Sequence, residues 1–102
     1  MHKDLYIVLV YSNDGYSEMI REIVEYAIEI VSSKYGLNIS YKRILANDID
    51  YPYIVINGLD PIAFEEKPSL KTLIDLFLIT ADSMGINPHI NDPMKTNDPL
   101  TS

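Results

Sequence analysis

A short stretch between the first apolar run and the first predicted helix carries most of the side chains that could do chemistry. It contains Tyr11, Ser12, Asp14, Tyr16 and Ser17. Hydroxyl groups and a carboxylate at this spacing can hydrogen-bond a small ligand or a peptide, and a helix N-terminus favours anions. The alternative is structural, because Asp and Ser before a helix ordinarily cap its free backbone N–H groups. Both interpretations stay open at this point.

Tyr51 and Pro52 extend this group, since they precede a third strand-like segment that we expect to begin at the end of the sheet where the first apolar run stops. The complete predicted groove consists of Tyr11, Ser12, Asp14, Tyr16, Ser17, Tyr51 and Pro52. We expect it to bind rather than to catalyse, because no nucleophile, base and orienting group occur together in a recognisable pattern. No catalytic residue is predicted.

The chain contains no Cys, and this excludes several kinds of chemistry. There is no thiolate nucleophile, no disulfide, no Cys-ligated zinc and no iron–sulfur cluster. The two histidines, His2 and His89, fall in terminal segments, so a metal site would need carboxylates brought from elsewhere. We expect neither a metal nor a cofactor.

Composition indicates one small globular domain with an acidic surface. The 102 residues are 47% hydrophobic, and the net charge of -7 repels phosphate backbones and anionic membranes. We therefore expect no nucleic-acid or membrane partner. No window reaches the ~18 apolar residues of a membrane span and the N-terminus does not resemble a signal peptide, so a cytoplasmic location is predicted. The abundance of Ile, Tyr and Glu without Cys or Gln is compatible with a thermophilic source.

Hydrophobic periodicity predicts the elements that must position the groove. A continuous apolar run over residues 5–11 predicts a strand buried on both faces. Apolar residues at three- and four-residue steps predict a helix over 16–35, ended by Gly36. Residues 37–45 predict a second, half-solvated strand, which the helical crossover makes parallel to the first.

The second half of the chain is organised around Asn57-Gly58, which lies between two apolar runs within residues 51–64. This dipeptide predicts a type I′ hairpin, because both central residues need positive φ. Pro61 cannot donate a ladder hydrogen bond and places the last strand at an edge. Ser69 is a predicted N-cap for a helix over 70–84, and residues 86–102 are predicted to be an irregular tail.

This order, β-α-β-β-β-α with a mixed sheet in order 2-1-3-4, resembles the thioredoxin-like fold in its short, glutaredoxin-sized form. The resemblance covers about residues 4–85 and places the family's Cys-x-x-Cys motif at Asp14-Gly15-Tyr16-Ser17. It also places Pro52 at the position of the family's cis-proline. Since the motif has no thiol here, thiol–disulfide exchange is excluded. Tyr11 and Ser12 are similar in position to the hydroxyl that activates glutathione in thioredoxin-like transferases.

Apolar residues outside the core stripes of the two helices predict an interface. They are Met19, Tyr26 and Ile30 on the first helix and Leu76 and Ile79 on the second. Exposed apolar patches commonly mark contacts with another protein, although the tail is an alternative cover. We expect a non-enzymatic protein-interaction module, a homodimer, that binds through a helix face or the edge of the fourth strand. The alternative is a small-molecule binder or Cys-independent transferase that uses the groove near Tyr11, Asp14 and Pro52.

Overall fold

A computed structural model of the chain describes residues 4–86. Its elements, in chain order, are β1 (Leu5–Tyr11), α1 (Gly15–Tyr35), β2 (Ile39–Leu45), β3 (Tyr53–Ile56), β4 (Ile62–Ala63) and α2 (Leu70–Ser83). The predicted tail begins at residue 86. Ile86 is 4% exposed and belongs to the hydrophobic core, and residues 87–102 lie outside the described part of the chain.

The four strands form one mixed sheet in the order β2-β1-β3-β4. β1 is parallel to β2 and antiparallel to β3, and β3 is antiparallel to β4. The predicted α/β class, strand order and two-helix arrangement are therefore confirmed. The first strand is central, as the crossover and the hairpin together require.

Local sequence signals fix the ends of both helices. Asp14 caps α1 by accepting a hydrogen bond from the Ser17 backbone N–H, and Gly36 ends it in the left-handed conformation at φ 68°. Ser69 caps α2 in the same way, by accepting from the Thr72 N–H. The predicted stripe of α1 faces the core, with Ile20, Val24, Ala27 and Val31 fully buried.

The predicted hairpin turn is present at Asn57 and Gly58, with φ of 49° and 74°. The Leu59 N–H closes it by donating to the Ile56 carbonyl at 2.9 Å. A two-residue turn alone would place Ile54 opposite Pro61, yet Ile54 pairs with Ile62. One extra residue therefore lies between turn and strand, and β4 is only two residues long.

The helices cover one face of the sheet. Leu5, Ile7 and Leu9 of β1 share a face with Ile54 and Ile56 of β3, and all are 2% exposed or less. They form a single cluster with the buried stripes of both helices. Both helices therefore pack on this side of the sheet.

The opposite face, which we call the open sheet face, is not covered by any element within residues 4–86. It consists of alternate residues from three strands: Tyr6, Val8, Val10, Ser40, Lys42, Ile44, Tyr53 and Val55. Tyr6 is 55% and Ile44 is 40% exposed. The prediction that β1 is buried on both faces is therefore wrong for the described residues, since no element there lies over Tyr6.

Candidate functional sites

The predicted groove residues Ser12, Asp14 and Ser17 do come together, and they form a closed hydrogen-bond cluster at the start of α1. The Ser12 hydroxyl donates to one carboxylate oxygen of Asp14, and the Ser17 backbone N–H donates to the other at 2.8 Å. The hydroxyls of Ser12 and Ser17 lie 3.0 Å apart. Ser12 is 8% and Ser17 is 1% exposed. These polar groups satisfy one another, which is what a helix cap requires.

The hydrogen bonds to Asp14 also determine its charge state. The Ser12 hydroxyl, and then the Ser17 backbone N–H, stabilise the carboxylate and hold the pKa of Asp14 below its ordinary value. The side chain is therefore an acceptor at neutral pH and does not hold a proton to give. This arrangement supports a structural role for Asp14.

Tyr16 reaches away from this cluster towards the second half of the chain. Its hydroxyl donates to the Phe64 carbonyl at 2.7 Å and so connects α1 to the segment that follows β4. Burial raises the pKa of Tyr16, and the nearby Tyr51 and Glu66 add to the shift. The phenol is therefore neutral at physiological pH, and its proton is used in a tertiary contact.

Pro52 is buried, and its carbonyl accepts a hydrogen bond from the Phe64 N–H at 2.9 Å. The peptide bond before Pro52 is trans, so the cis-proline implied by the thioredoxin-like resemblance is wrong. Tyr51 is 44% exposed, whereas Tyr11 is half-buried and its carbonyl accepts from the Ala46 N–H. Of the seven groove residues, Ser12, Asp14, Tyr16 and Ser17 have side chains that are hydrogen-bonded within the chain.

The predicted interface residues on the two helices differ in how far they are exposed. Tyr26 is 56% and Ile79 is 67% exposed, while Met19, Ile30 and Leu76 are half-buried. Tyr26 and Ile79 each lie two positions after a fully buried residue, which places them on the far side of their helices from the sheet. They point away from the core, as the prediction requires of an interface.

Tyr26 lines a groove between α1 and the first turn of α2, with a volume of about 520 Å³. This volume falls within the range of small-molecule pockets. The groove is lined by Glu22, Ile23, Tyr26, Lys67, Pro68, Ser69 and Leu70. No signal in the sequence indicates this groove, because its lining residues come from segments far apart in the chain and Ser69 is predicted only as a helix N-cap.

The predicted binding edge, β4, is the shorter of the two edges of the sheet. β4 offers two residues, whereas β2 is seven residues long and, among the strands of residues 4–86, pairs only with β1. Lys42 and Arg43 occupy the centre of β2, and cations at this position commonly protect an edge strand against pairing with another chain. The predicted docking at the edge of the fourth strand therefore has a very short template.

Two further properties concern the part of the chain between residues 4 and 86. None of its helices has the length and apolar character needed to cross a membrane. It contains no cluster of three or more His, Asp or Glu side chains arranged to hold a metal ion. The histidines that sequence analysis considered, His2 and His89, fall outside this range.

The open sheet face carries apolar side chains that no element within residues 4–86 covers. Its signal in the sequence is the unbroken apolar run of β1, in which Tyr6, Val8 and Val10 alternate with the core residues. A strand with one solvated face ordinarily carries polar residues at such positions. The run predicts a cover on this side, and the described elements do not supply one.

Comparison with protein-family models, with curated proteins and with solved structures found no match to this chain.

Proposed function

We propose that this chain is a non-redox, cytoplasmic protein-interaction module that binds another protein chain over its open sheet face. The observation that carries the proposal is the pair of exposures on that face, 55% for Tyr6 and 40% for Ile44, on a surface that also carries Val8, Val10 and Val55. Surfaces of this kind are uncommon on monomers and mark contact sites. The proposal keeps the predicted class of function and moves the interface from the helices to the sheet.

Packing at the sheet supports this choice of surface. Val10 is 8% exposed because it lies between Ile44 and Tyr53 in the strand register, whereas Ile44, on the edge strand, stays 40% exposed. At the other end Tyr6 lies between the smaller polar residues Ser40 and Asn57 and is 55% exposed. A partner side chain placed there removes aromatic and aliphatic surface from water, at about 25 cal/mol per Å² of apolar area.

The chemistry of the predicted groove argues for the same conclusion. A small-molecule site needs polar groups that converge on the ligand. Around α1 the carboxylate of Asp14, the hydroxyls of Ser12 and Ser17 and the hydroxyl of Tyr16 all have partners within the chain. The open sheet face, by contrast, presents apolar groups that gain from any cover.

Site-specific photo-crosslinking in the native host tests the proposal. A photoreactive phenylalanine analogue replaces Tyr6 in one variant and Tyr26 in a matched control, because both are tyrosines with nearly equal exposure. We expect position 6 to yield one dominant covalent adduct with a protein chain, identified by mass spectrometry, and position 26 to yield little. The absence of any intermolecular adduct from position 6, with efficient crosslinking at position 26, would overturn the proposal in favour of the helix face.

A further inference from the structure

We propose that the chain that covers the open sheet face is a second copy of this protein, packed sheet against sheet about a two-fold axis that runs across the strands. This inference rests on the proposed function and specifies its partner.

Two charged side chains of opposite sign lie on this side of the sheet. Lys42 is the cation in the middle of β2, beside Val8 in the register. Asp4 precedes β1 and lies at the end of the face where the Ser40 hydroxyl approaches its Oδ2 atom at 3.5 Å. Within residues 4–86 neither of them takes part in an ion pair. The face therefore carries one cation and one anion, separated along the strand direction.

A charge that is covered by a partner needs a counter-charge, because desolvation of an unpaired ammonium group is costly. A neutral apolar helix laid over the sheet would leave Lys42 without one. A partner with an acidic group at the matching place removes this cost. The second copy supplies such a group in its own Asp4.

The symmetry of the pairing decides whether these charges can meet. In a two-fold dimer each contact occurs twice, so residue i meets residue j and j meets i. An axis across the strands turns one sheet end for end, which brings the Asp4 end of each copy towards Lys42 of the other. An axis along the strands instead keeps each residue at its own level along the strand, which leaves Asp4 of one copy four residues away from Lys42 of the other. The pairing of Asp4 with Lys42 therefore requires the first arrangement.

The same arrangement also matches the apolar groups. With Asp4 of each copy opposite the level of Val8 and Lys42 of the other, the axis crosses β1 midway between positions 4 and 8, so the exposed Tyr6 of one copy faces Tyr6 of the other. The two rings then stack across the axis, and aromatic pairs contribute beyond the area that they bury. Ion pairs at the margin and apolar contacts at the centre follow the usual anatomy of an interface.

The area of the face sets the strength of the expected dimer. The 7, 7 and 4 residues of β1, β2 and β3, at about 3.3 Å per residue and about 4.8 Å between strands, give roughly 300 Å² of projected surface per copy. This is below the area of a standard specific interface and is typical of weak, transient contacts. We therefore expect a reversible dimer with a dissociation constant in the micromolar range.

Charge exchange between two singly substituted chains provides the sharpest test. Asp4→Lys places two cations on one face, and Lys42→Glu places two anions on the other. Each variant alone repels its own copy, so we expect each to dissociate about tenfold or more readily than the original chain in sedimentation velocity. Mixed in equal amounts, the two variants have both contacts restored, and we expect a heterodimer close to the original affinity. The double variant, Asp4→Lys with Lys42→Glu, should also dimerise.

Truncation of the exposed tyrosines gives an independent measurement. Tyr6→Ser should weaken the dimer about tenfold, whereas the matched Tyr26→Ser should change it less than about twofold. Circular dichroism checks that both variants are folded. The charge exchange does not depend on this result, because its decisive readout is recovery on mixing.

Several outcomes would overturn the inference, and they differ from failure of the proposed function. A strict monomer up to about 500 µM, or singly charged variants that do not recover on mixing, removes the second copy as the partner. If the position-6 crosslink then identifies a different protein, the proposed function stands and this inference fails. If Tyr6 is shielded in a strict monomer, residues 87–102 of the same chain are the cover, and both fail.

Discussion

Tyr41 on β2 donates its hydroxyl to Oε2 of Glu25 on α1 at 2.7 Å, and this bond joins the edge strand to the crossover helix. Glu25 is shared with two guanidinium groups, Arg21 at 3.0 Å and Arg43 at 3.1 Å. The Glu25 carboxylate therefore connects α1 to the edge strand β2 through one network of hydrogen bonds and ion pairs. Its side chain is 31% exposed, so the network lies partly out of water.

Replacing Tyr41 by Phe should destabilise the fold, because it removes the hydroxyl while leaving the ring in place. We expect a loss of about 0.5–1.5 kcal/mol in the free energy of unfolding, the usual net worth of one hydrogen bond. Urea unfolding followed by circular dichroism measures it. Tyr35→Phe is the control, since the Tyr35 hydroxyl makes no hydrogen bond within residues 4–86. Equal stability of the two variants would show that the bond contributes nothing.

The same residue predicts an alkaline dependence of stability. Burial, and then the hydrogen bond to Glu25, raise the pKa of Tyr41 above its ordinary value. The unfolded chain releases this proton near pH 10 while the folded chain still holds it. The stabilisation is therefore complete below about pH 10 and decreases as the pH rises towards the folded pKa. The stability of Tyr41→Phe should decline less steeply above pH 10, and parallel curves would contradict this cause.

The backbone turns and helix ends of this protein could be predicted from the sequence, because each depends on residues close together in the chain. Asn57-Gly58 needs only its own φ angles, and Asp14 and Ser69 need only the first turn of the helix that follows. The strand order followed from the handedness of one crossover and from the position of Pro61 at an edge. These are local or topological constraints.

The exposed surfaces depend on contacts between segments that are far apart in the chain, and the sequence predicted these surfaces less well. The β1 run predicted cover on both faces, but a strand cannot show whether its second cover comes from its own chain. The groove beside Tyr26 arises where α1 meets residues 67–70, which are far apart in sequence. The peptide bond before Pro52 was implied by a resemblance, and the structure has it trans.

Substitution of Asp14 should separate its capping role from its charge. Asp14→Ala removes the acceptor for the Ser17 N–H and should lower the midpoint of urea unfolding at neutral pH. Asp14→Asn keeps a capping oxygen, so its midpoint at pH 7 should stay nearer to that of the original chain. This ranking would be contradicted if Asn were as destabilising as Ala.

The loss of stability at acid pH distinguishes Asp14→Asn from the original chain. Since hydrogen bonds hold the pKa of Asp14 below its ordinary value, its contribution is present above that ordinary value and is lost as the pH falls through the folded pKa. Asn has no proton to gain, so Asp14→Asn should lose less stability than the original chain between about pH 4 and pH 2. Thermal unfolding at a series of pH values measures the difference.

The turn at Asn57 predicts an order of stability that differs from ordinary side-chain preference. Asn57 holds φ at 49°, its N–H donates to the Tyr6 carbonyl at 2.7 Å, and its side-chain oxygen accepts from the Tyr6 N–H. The side chain thus takes the place of a backbone acceptor where β3 turns away from β1. Asn57→Gly keeps the backbone conformation but loses this acceptor, which should cost about 1 kcal/mol.

Asn57→Ala loses the acceptor and also forces a side chain into positive φ, which adds about 1–2 kcal/mol. We therefore expect the free energy of unfolding in urea to fall in the order Asn, Gly, Ala. Gly58→Ala provides the matched control for strain alone, since Gly58 has φ 74° and an added Cβ meets no atom within 4 Å. If Ala at position 57 proved as stable as Gly, the positive φ would not be what selects Asn at this turn.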